Sequence, residues 1–302
     1  MSPNRRPNFA PAFALMLNAF VWGVSWWPFR ELHAQGLHPL WATALIYAVS
    51  LALLLCVRPH SWRAFAREPM LWVLLVASGM TNVGFNWGVT VGDVVRVVLL
   101  FYLMPAWTVV LAWAMLGERP THAALLRLVI AMVGVFTVLK APDTPWPVPQ
   151  SIADWLAIAG GFCFALTNIV LRRLRHVAAP SRILAMFTGG AVLASLSGLA
   201  GAAVGIVPAI PAPHTGWVVV GIALSLGFLA SNVALQYGAA HLNAHASALI
   251  MLSEIVFASV SSVALGAAAM TPRTWIGGGL ILFAAGWSAW SGAGEGEGES
   301  AK

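Results

Sequence analysis

Long apolar stretches, separated by short polar breaks, run through the whole sequence. A helix needs roughly 17 to 25 predominantly apolar residues to cross about 30 Å of hydrocarbon. Such a segment must be helical because lipid offers no partner to free backbone groups. Ten stretches meet the length requirement, so we predict ten transmembrane helices. They cover residues 10–30, 39–57, 70–91, 94–116, 122–140, 152–171, 183–207, 215–238, 243–268 and 273–291.

The breaks between these stretches carry Arg, Gly and Pro, which are typical of helix ends and loops. The clearest breaks are the proline-rich segment 141–150 and Thr271-Pro272-Arg273. The break at Gly238–Leu242 is weak, and nine helices is therefore the competing count. Two small-residue pairs, Gly88 with Gly92 and Gly201 with Gly205, have the four-residue spacing that allows close helix contact.

The composition agrees with a lipid environment. Hydrophobic residues make up 60% of the 302 residues and charged residues only 9%, with a mean hydropathy of +0.82. This is too few charges to cover a water-soluble surface of this size. The net charge of +6 does not indicate nucleic acid, because the basic residues lie in short breaks and form no continuous face.

The distribution of basic residues predicts the orientation, since short cytoplasmic loops are enriched in Lys and Arg. With the N-terminus inside, the predicted cytoplasmic segments hold far more basic residues than the external ones, and both termini are expected in the cytoplasm. The cytoplasmic set is Arg5, Arg6, Arg58, Arg63, Arg67, Arg119, Arg127, Arg172, Arg173, Arg175 and Arg182, against Arg30, Arg96, Lys140 and Arg273 outside. We expect a multi-pass protein of a bacterial-type inner membrane.

An internal repeat divides the chain near its middle. Thr81–Gly88 (TNVGFNWG) resembles Ser231–Gly238 (SNVALQYG), 150 residues later, and Leu116-Gly117 corresponds to Leu265-Gly266. Each half holds five predicted helices, so the second half is inverted relative to the first, which is an arrangement of transporters. The predicted organisation is an N-terminus (1–9), a first repeat (10–140), an external linker (141–151), a second repeat (152–291) and a disordered tail (292–302).

Three motifs accompany this organisation: Trp22-Gly23 in the first segment, Pro105 in the fourth, and Leu116-Gly117-Glu118-Arg119-Pro120 at its end. Together with the ten predicted helices in two inverted halves, they resemble the EamA-type branch of the drug/metabolite transporter superfamily. Within the superfamily the chain is most similar to the aromatic amino-acid exporters. The resemblance implies export of Phe, Tyr, Trp and related compounds from the cytoplasm. The second half departs from the pattern, with Glu254 in the region equivalent to Pro105.

Glu254 is the acidic residue that lies nearest the centre of a predicted segment. A carboxylate there is costly unless it is paired, hydrated or protonated, so it must face the bundle interior. Three roles remain open for it: proton coupling, binding of a substrate ammonium group, or a structural hydrogen bond. Side chains near Glu254 and Pro105 could line a pocket for a flat apolar ligand, or could be ordinary packing. They are Phe101, Tyr102, Trp107, Ser247 and Met251.

Polar and aromatic residues in other segments are further candidates for binding substrate. In the first segment, Asn18, Trp22 and Trp26 share one helical stripe, for which an interfacial aromatic belt is the alternative. The third and eighth segments carry repeat-related polar groups, which could equally form interhelical hydrogen bonds. These are Asn82, Asn86, Ser231, Asn232 and Gln236.

The sequence contains no GxxxxGK[ST] loop for ATP. We therefore expect a secondary transporter or facilitator, without cofactor or metal, that is not an enzyme. Its partners would be a small-molecule substrate and membrane lipid, in a monomer or homodimer. The alternatives are export of another metabolite or a drug-like cation and, more remotely, a membrane-embedded enzyme or lipid flippase.

Overall fold

The computed structural model describes residues 9–117, 121–140, 148–213, 215–242, 250–268 and 271–299. Within them the regular elements are helices. They are α1 (Ala10–Val24), α2 (Trp26–Ala34), α3 (Pro39–Val57), α4 (Met70–Val91), α5 (Val94–Phe101), α6 (Met104–Leu116), α7 (His122–Leu139), α8 (Ile152–Arg173), α9 (Ala179–Ala203), α10 (Thr215–His241), α11 (Ser253–Ala264) and α12 (Pro272–Glu299), with a 3₁₀ turn at Ser61–Ala66.

Six helical stretches of the described residues are long and apolar enough to cross a membrane, which makes the chain a multi-pass membrane protein. Two further apolar helical stretches, Leu125–Val138 in α7 and Ser253–Ala264, which is α11, are shorter than these six. Residues 243–249, where the ninth segment is expected to begin, lie outside the described residues. The count of ten spans remains a prediction. The six stretches are Ala10–Ala34, Pro39–Val57, Val94–Met115, Ile152–Arg173, Ala179–Ala203 and Thr215–Gly238.

Local sequence explains where several helices begin and end. The Asp93 side chain accepts the N–H of Arg96 at 2.8 Å and caps α5. α9 begins four residues earlier than predicted because Pro180 fits its first turn, and Gly205, with φ of +74°, follows its end. α12 continues to Glu299 and so includes residues 292–299, which the sequence analysis assigned to a disordered tail.

Helices from the two parts of the chain alternate in the packing. α4 packs along α8 and α9, and α3 packs along α9. On the other side, α1 packs along α10 and α11, and α10 also packs on α3. α5 and α6 pack on α8, while α7 lies along α12. The first and second halves are therefore interleaved and do not form two separate bundles.

Glycine lets some of these helices approach until their backbones touch. A Cβ on Gly189 of α9 would lie 2.0 Å from the carbonyl oxygen of Leu75 in α4. The predicted contact of Gly92 is confirmed, since a Cβ there would lie 2.5 Å from Cβ of Ala153. The prediction for Gly205 is wrong: nothing lies within 4 Å of its position, because this residue turns the chain after α9 instead of packing against another helix.

Candidate functional site

Two helix interruptions meet near the middle of the protein. α5 ends at Phe101 and α6 begins at Met104, so the helix breaks at Tyr102 and Leu103. A second break, at Leu252, precedes α11. Pro105 lies in the first turn of α6, where its missing N–H interrupts no helical hydrogen bond; its side chain is outside the described residues.

The side chains of Tyr102 and Glu254 connect the two breaks. The Tyr102 hydroxyl donates a hydrogen bond to Oε2 of Glu254 at 3.2 Å and lies 3.5 Å from the carbonyl oxygen of Met251. Tyr102 is 3% exposed and Glu254 is 9% exposed. Glu254 occupies the first turn of α11, where the helix dipole favours negative charge. Among the described residues, no basic side chain forms an ion pair with Glu254.

α1 closes one side of this pair. A Cβ on Gly23 would lie 2.7 Å from the carbonyl oxygen of Glu254, so the two backbones are in contact. The neighbouring Trp22 stacks on Phe228 of α10, with ring centroids 4.7 Å apart, and meets the edge of Phe85 of α4 at 6.0 Å. Trp22 therefore lies where α1, α4 and α10 converge, beside the contact between α1 and α11.

Aromatic rings also surround Phe101, the last residue of α5. Its ring lies 4.9 Å from that of Phe85 and 5.5 Å from that of Phe164 of α8. Farther along α6, the Trp107 ring meets the edge of Phe162 at 5.5 Å. The predicted aromatic residues of the fourth segment thus face α8 and α4, and Tyr102 reaches Glu254.

The predicted amides of α4 bind neighbouring helices and do not reach Glu254. The Tyr47 hydroxyl of α3 donates to Oδ1 of Asn82 at 2.5 Å. Asn86 donates through Nδ2 to Oγ1 of Thr43 at 3.2 Å. These bonds fasten α3 to α4, in agreement with the structural alternative for such groups.

Asn18 makes the corresponding connection between α1 and α10. Its Nδ2 donates to the Ser231 carbonyl oxygen at 3.0 Å and to Oγ of Ser231 at 2.6 Å. Asn232 donates to the carbonyl oxygen of Phe228 in its own helix at 3.3 Å. The Oδ1 atoms of Asn18, Asn86 and Asn232 are buried and receive no hydrogen bond from the described residues.

Three other residues that were predicted to bind substrate have no described contact with Tyr102 or Glu254. Trp26 donates through Nε1 to Oγ of Ser261 at 2.9 Å, near the far end of α11. Gln236 is half-buried on α10, and Ser247 lies outside the described residues.

The sequence analysis missed three aromatic residues that help to form this region: Tyr47, Phe85 and Phe228. Tyr47 could have been noticed as a polar ring within the apolar run of α3. Phe85 and Phe228 carry no local signal, because a Phe in an apolar helix is ordinary whichever way it faces.

Comparisons with known proteins agree with this architecture. Residues 10–140 match the profile of the EamA-like transporter family. The first half of the chain carries an EamA-like transporter domain. The match ends just after α7. Members of the EamA-like family are transporters and not enzymes.

A solved crystal structure of another protein has the same fold. It superposes with a TM-score of 0.58 at 18% sequence identity, over 92% of this chain and 96% of that chain. The shared architecture therefore continues beyond the EamA-like domain into the second half. No curated protein matches the sequence.

Proposed function

We propose that this protein is a secondary transporter of the drug/metabolite type that moves a small amphipathic molecule out of the cytoplasm by alternating access. One observation carries the proposal: the two interrupted helices meet at the buried pair of Tyr102 and Glu254. In secondary transporters, substrate sites form where discontinuous helices of inverted repeats meet near the midplane. An EamA-like domain over residues 10–140 supports the same class.

The pattern of helix packing supports ten spans in two inverted repeats. In this arrangement the helices α1 and α2 of the first half are equivalent to α8 of the second, α4 is equivalent to α10, and α5 and α6 are equivalent to α11. A helix contact in one orientation then has an equivalent contact in the other: α4 packs on α8 as α10 packs on α1, and α6 packs on α8 as α11 packs on α1. The fourth spans also end alike, since Gly117 follows α6 with φ of +72° and Gly266 follows α11 with φ of +67°. Both termini would then face the cytoplasm of a bacterial-type inner membrane.

For the substrate we propose an aromatic or otherwise amphipathic amino acid. The half-buried ring of Trp22, stacked on Phe228, and the buried ring of Phe101, packed on Phe85, supply the apolar surroundings that an aromatic side chain requires. The Glu254 carboxylate would bind the amino group by a charge-assisted hydrogen bond. The amide oxygens of Asn18 and Asn232, which receive no hydrogen bond within the described part of the chain, would accept further N–H groups.

An organic cation is the second candidate substrate. The site described offers the Glu254 carboxylate and amide oxygens as acceptors, and in the described part of the chain no basic side chain pairs with this carboxylate. An amine without a carboxylate would therefore find its charge matched, whereas an amino-acid carboxylate would have to be held by backbone or hydroxyl donors.

Efflux from proteoliposomes tests the proposal. Vesicles loaded with labelled Trp or Phe should release the label saturably, and the rate should fall strongly in Glu254→Gln, which keeps the size of the side chain but removes its charge. Unlabelled aromatic amines and amino acids added as competitors separate the two substrate classes. The absence of saturable efflux of either class, from protein that retains its fold, would contradict the proposal.

Proton coupling is tested in the same vesicles. Efflux is measured with and without a pH gradient, in the parent protein and in Glu254→Gln. A ratio of rates with and without the gradient that departs from one in the parent protein but equals one in the variant assigns the coupling to Glu254. The same ratio in both proteins would exclude coupling through this residue.

A further inference from the structure

One arginine connects the two halves at the face where α4 ends. The guanidinium of Arg30 in α2 donates to the carbonyl oxygen of Val89 at 3.2 Å and to that of Gly92, both at the C-terminal end of α4. It also reaches the carbonyl oxygen of Ala267, just after α11, at 3.4 Å. The guanidinium carbon lies 5.3 Å from the ring of Trp26. Arg30 therefore has two bonds to its own half and one to the other half.

A second arginine makes the equivalent connection at the opposite face. Arg173 is the last residue of α8 and donates through Nη2 to the carbonyl oxygen of Met115, near the end of α6. Each arginine thus lies at the end of the first span of one half and binds the C-terminal end of the fourth span of the other half. Free carbonyl groups and the helix dipole make such ends favourable for a cation.

We propose that Arg30 and Arg173 are gating residues, one for each face of the transporter. The inference rests on the proposed alternating access, in which the site must open to one side at a time. Opening toward the predicted external face would separate α2 from the end of α11 and break the Arg30 bond to Ala267. Opening toward the cytoplasm would separate α8 from α6 and break the bond of Arg173 to Met115.

The two gates differ in strength. Arg30 is half-buried, is held against Trp26 and retains its bonds to α4 when the gate opens. Arg173 is exposed, and in water an exposed bond contributes little. The cytoplasmic gate should therefore open more readily, and the unloaded protein should favour the inward-open state.

Thiol labelling tests the gates without requiring a substrate. The two native cysteines, Cys56 and Cys163, are first replaced by Ser. A reporter cysteine is then placed between the central pair and each gate, at the buried residues Ala258 of α11 and Ala106 of α6. A membrane-impermeant maleimide is applied to right-side-out vesicles for Ala258→Cys and to inside-out vesicles for Ala106→Cys.

Arg30→Gln should raise external labelling of the cysteine at 258 by about tenfold, the effect of losing a charge-assisted hydrogen bond. Arg173→Gln should raise cytoplasmic labelling of the cysteine at 106 by about threefold, as expected for an exposed bond. Arg63→Gln, an exposed arginine near the cytoplasmic end of α3, is the matched control and should change neither rate.

Three results would overturn the gating proposal. The first is a labelling rate that stays unchanged in Arg30→Gln or in Arg173→Gln. The others are an equal rise in labelling of both reporter cysteines in a single variant, and a rise in Arg63→Gln as large as in the gate variants. A variant that fails to fold is replaced by Arg30→Lys, which keeps the charge but loses the fork of donors, and should show a smaller rise at 258. Because the readout is labelling and not flux, these results are distinguishable from a failure of the transport proposal.

Discussion

The hydroxyl of Tyr102, at the end of α5, donates a hydrogen bond to the carboxylate of Glu254, at the start of α11, across 3.2 Å. The two residues are 152 positions apart in the sequence and lie in different halves. The bond therefore joins the halves at their interrupted helices, and it satisfies one oxygen of a buried carboxylate. Loss of either partner should affect both the fold and the site.

We expect Tyr102→Phe and Glu254→Gln to destabilise the protein non-additively. Removing the hydroxyl leaves the carboxylate without its donor, at a cost of roughly 1.5 to 3 kcal/mol. The same change should cost less when residue 254 is already Gln. Unfolding in detergent of the parent, both single variants and the double variant measures this coupling. Tyr237→Phe, at an exposed tyrosine of α10, is the control; additive effects at 102 and 254 would contradict the prediction.

We expect Asp154→Asn to weaken the packing of α5 on α8. Arg96 binds both carboxylate oxygens of Asp154, at 2.8 and 2.9 Å, and donates to the carbonyl oxygen of Val138 at 2.6 Å. Removing one charge from a fully buried pair costs roughly 3 kcal/mol, and because Arg96 is partly exposed to solvent we expect a smaller loss of about 1 to 2 kcal/mol. The loss should appear as a lower thermal midpoint in detergent. Arg96→Met should cost less in the Asp154→Asn background than in the parent, because of its two partners only the Val138 carbonyl remains to be lost; equal costs in the two backgrounds would mean that the pair is not the source.

Gly189→Ala should prevent normal packing of α9 on α4. The added methyl group would lie 2.0 Å from the carbonyl oxygen of Leu75, and a backbone atom cannot move aside as a side chain can. Overpacking of this kind costs about 1 to 3 kcal/mol or more. Gly221→Ala is the matched control, because nothing lies within 4 Å of its Cβ position. Equal yields and thermal midpoints of the two variants in detergent would contradict the packing described.

Acidification should destabilise the protein through His38, which precedes α3. Burial, with a smaller effect of His33, lowers the pKa of His38 from 6.5 to about 4. The folded state therefore holds His38 neutral, and the unfolded chain binds the proton more readily. The stability from this residue is complete above pH 6.5 and is lost as the pH falls toward 4.

Thermal midpoints between pH 4 and pH 7.5 measure this effect. His38→Asn should flatten the curve, since Asn can replace Nδ1 of His38 as acceptor for the N–H of Leu40 but does not titrate. Ala66→Asn, which introduces the same side chain at an exposed position without removing a titratable group, should leave the slope of the curve unchanged. An unaltered slope in His38→Asn would show that other groups cause the acid sensitivity.

Particular residues show how far sequence reasoning reached. Glu254 could be predicted to face the interior, because an isolated carboxylate in lipid is costly, and it does lie against Tyr102. Asn82 and Asn86 could be predicted to be buried, but not to bind Tyr47 and Thr43, since an amide gives no sign of which neighbouring helix supplies its partner. Gly205 shares its spacing with packing glycines, yet it ends a helix.

The sequence by itself determined the class of protein, because burying so many apolar residues with so few charges requires lipid as the solvent for most of the chain. It also determined most helix positions, since length, hydropathy and local breaks are properties of neighbouring residues; the two inverted repeats remain a prediction. Only the tertiary structure decided that Tyr102 meets Glu254, that Arg30 and Arg173 cross between the halves, and that Trp22 stacks on Phe228. Those contacts depend on the rotation and depth of each helix, which are set by close packing between residues far apart in the chain.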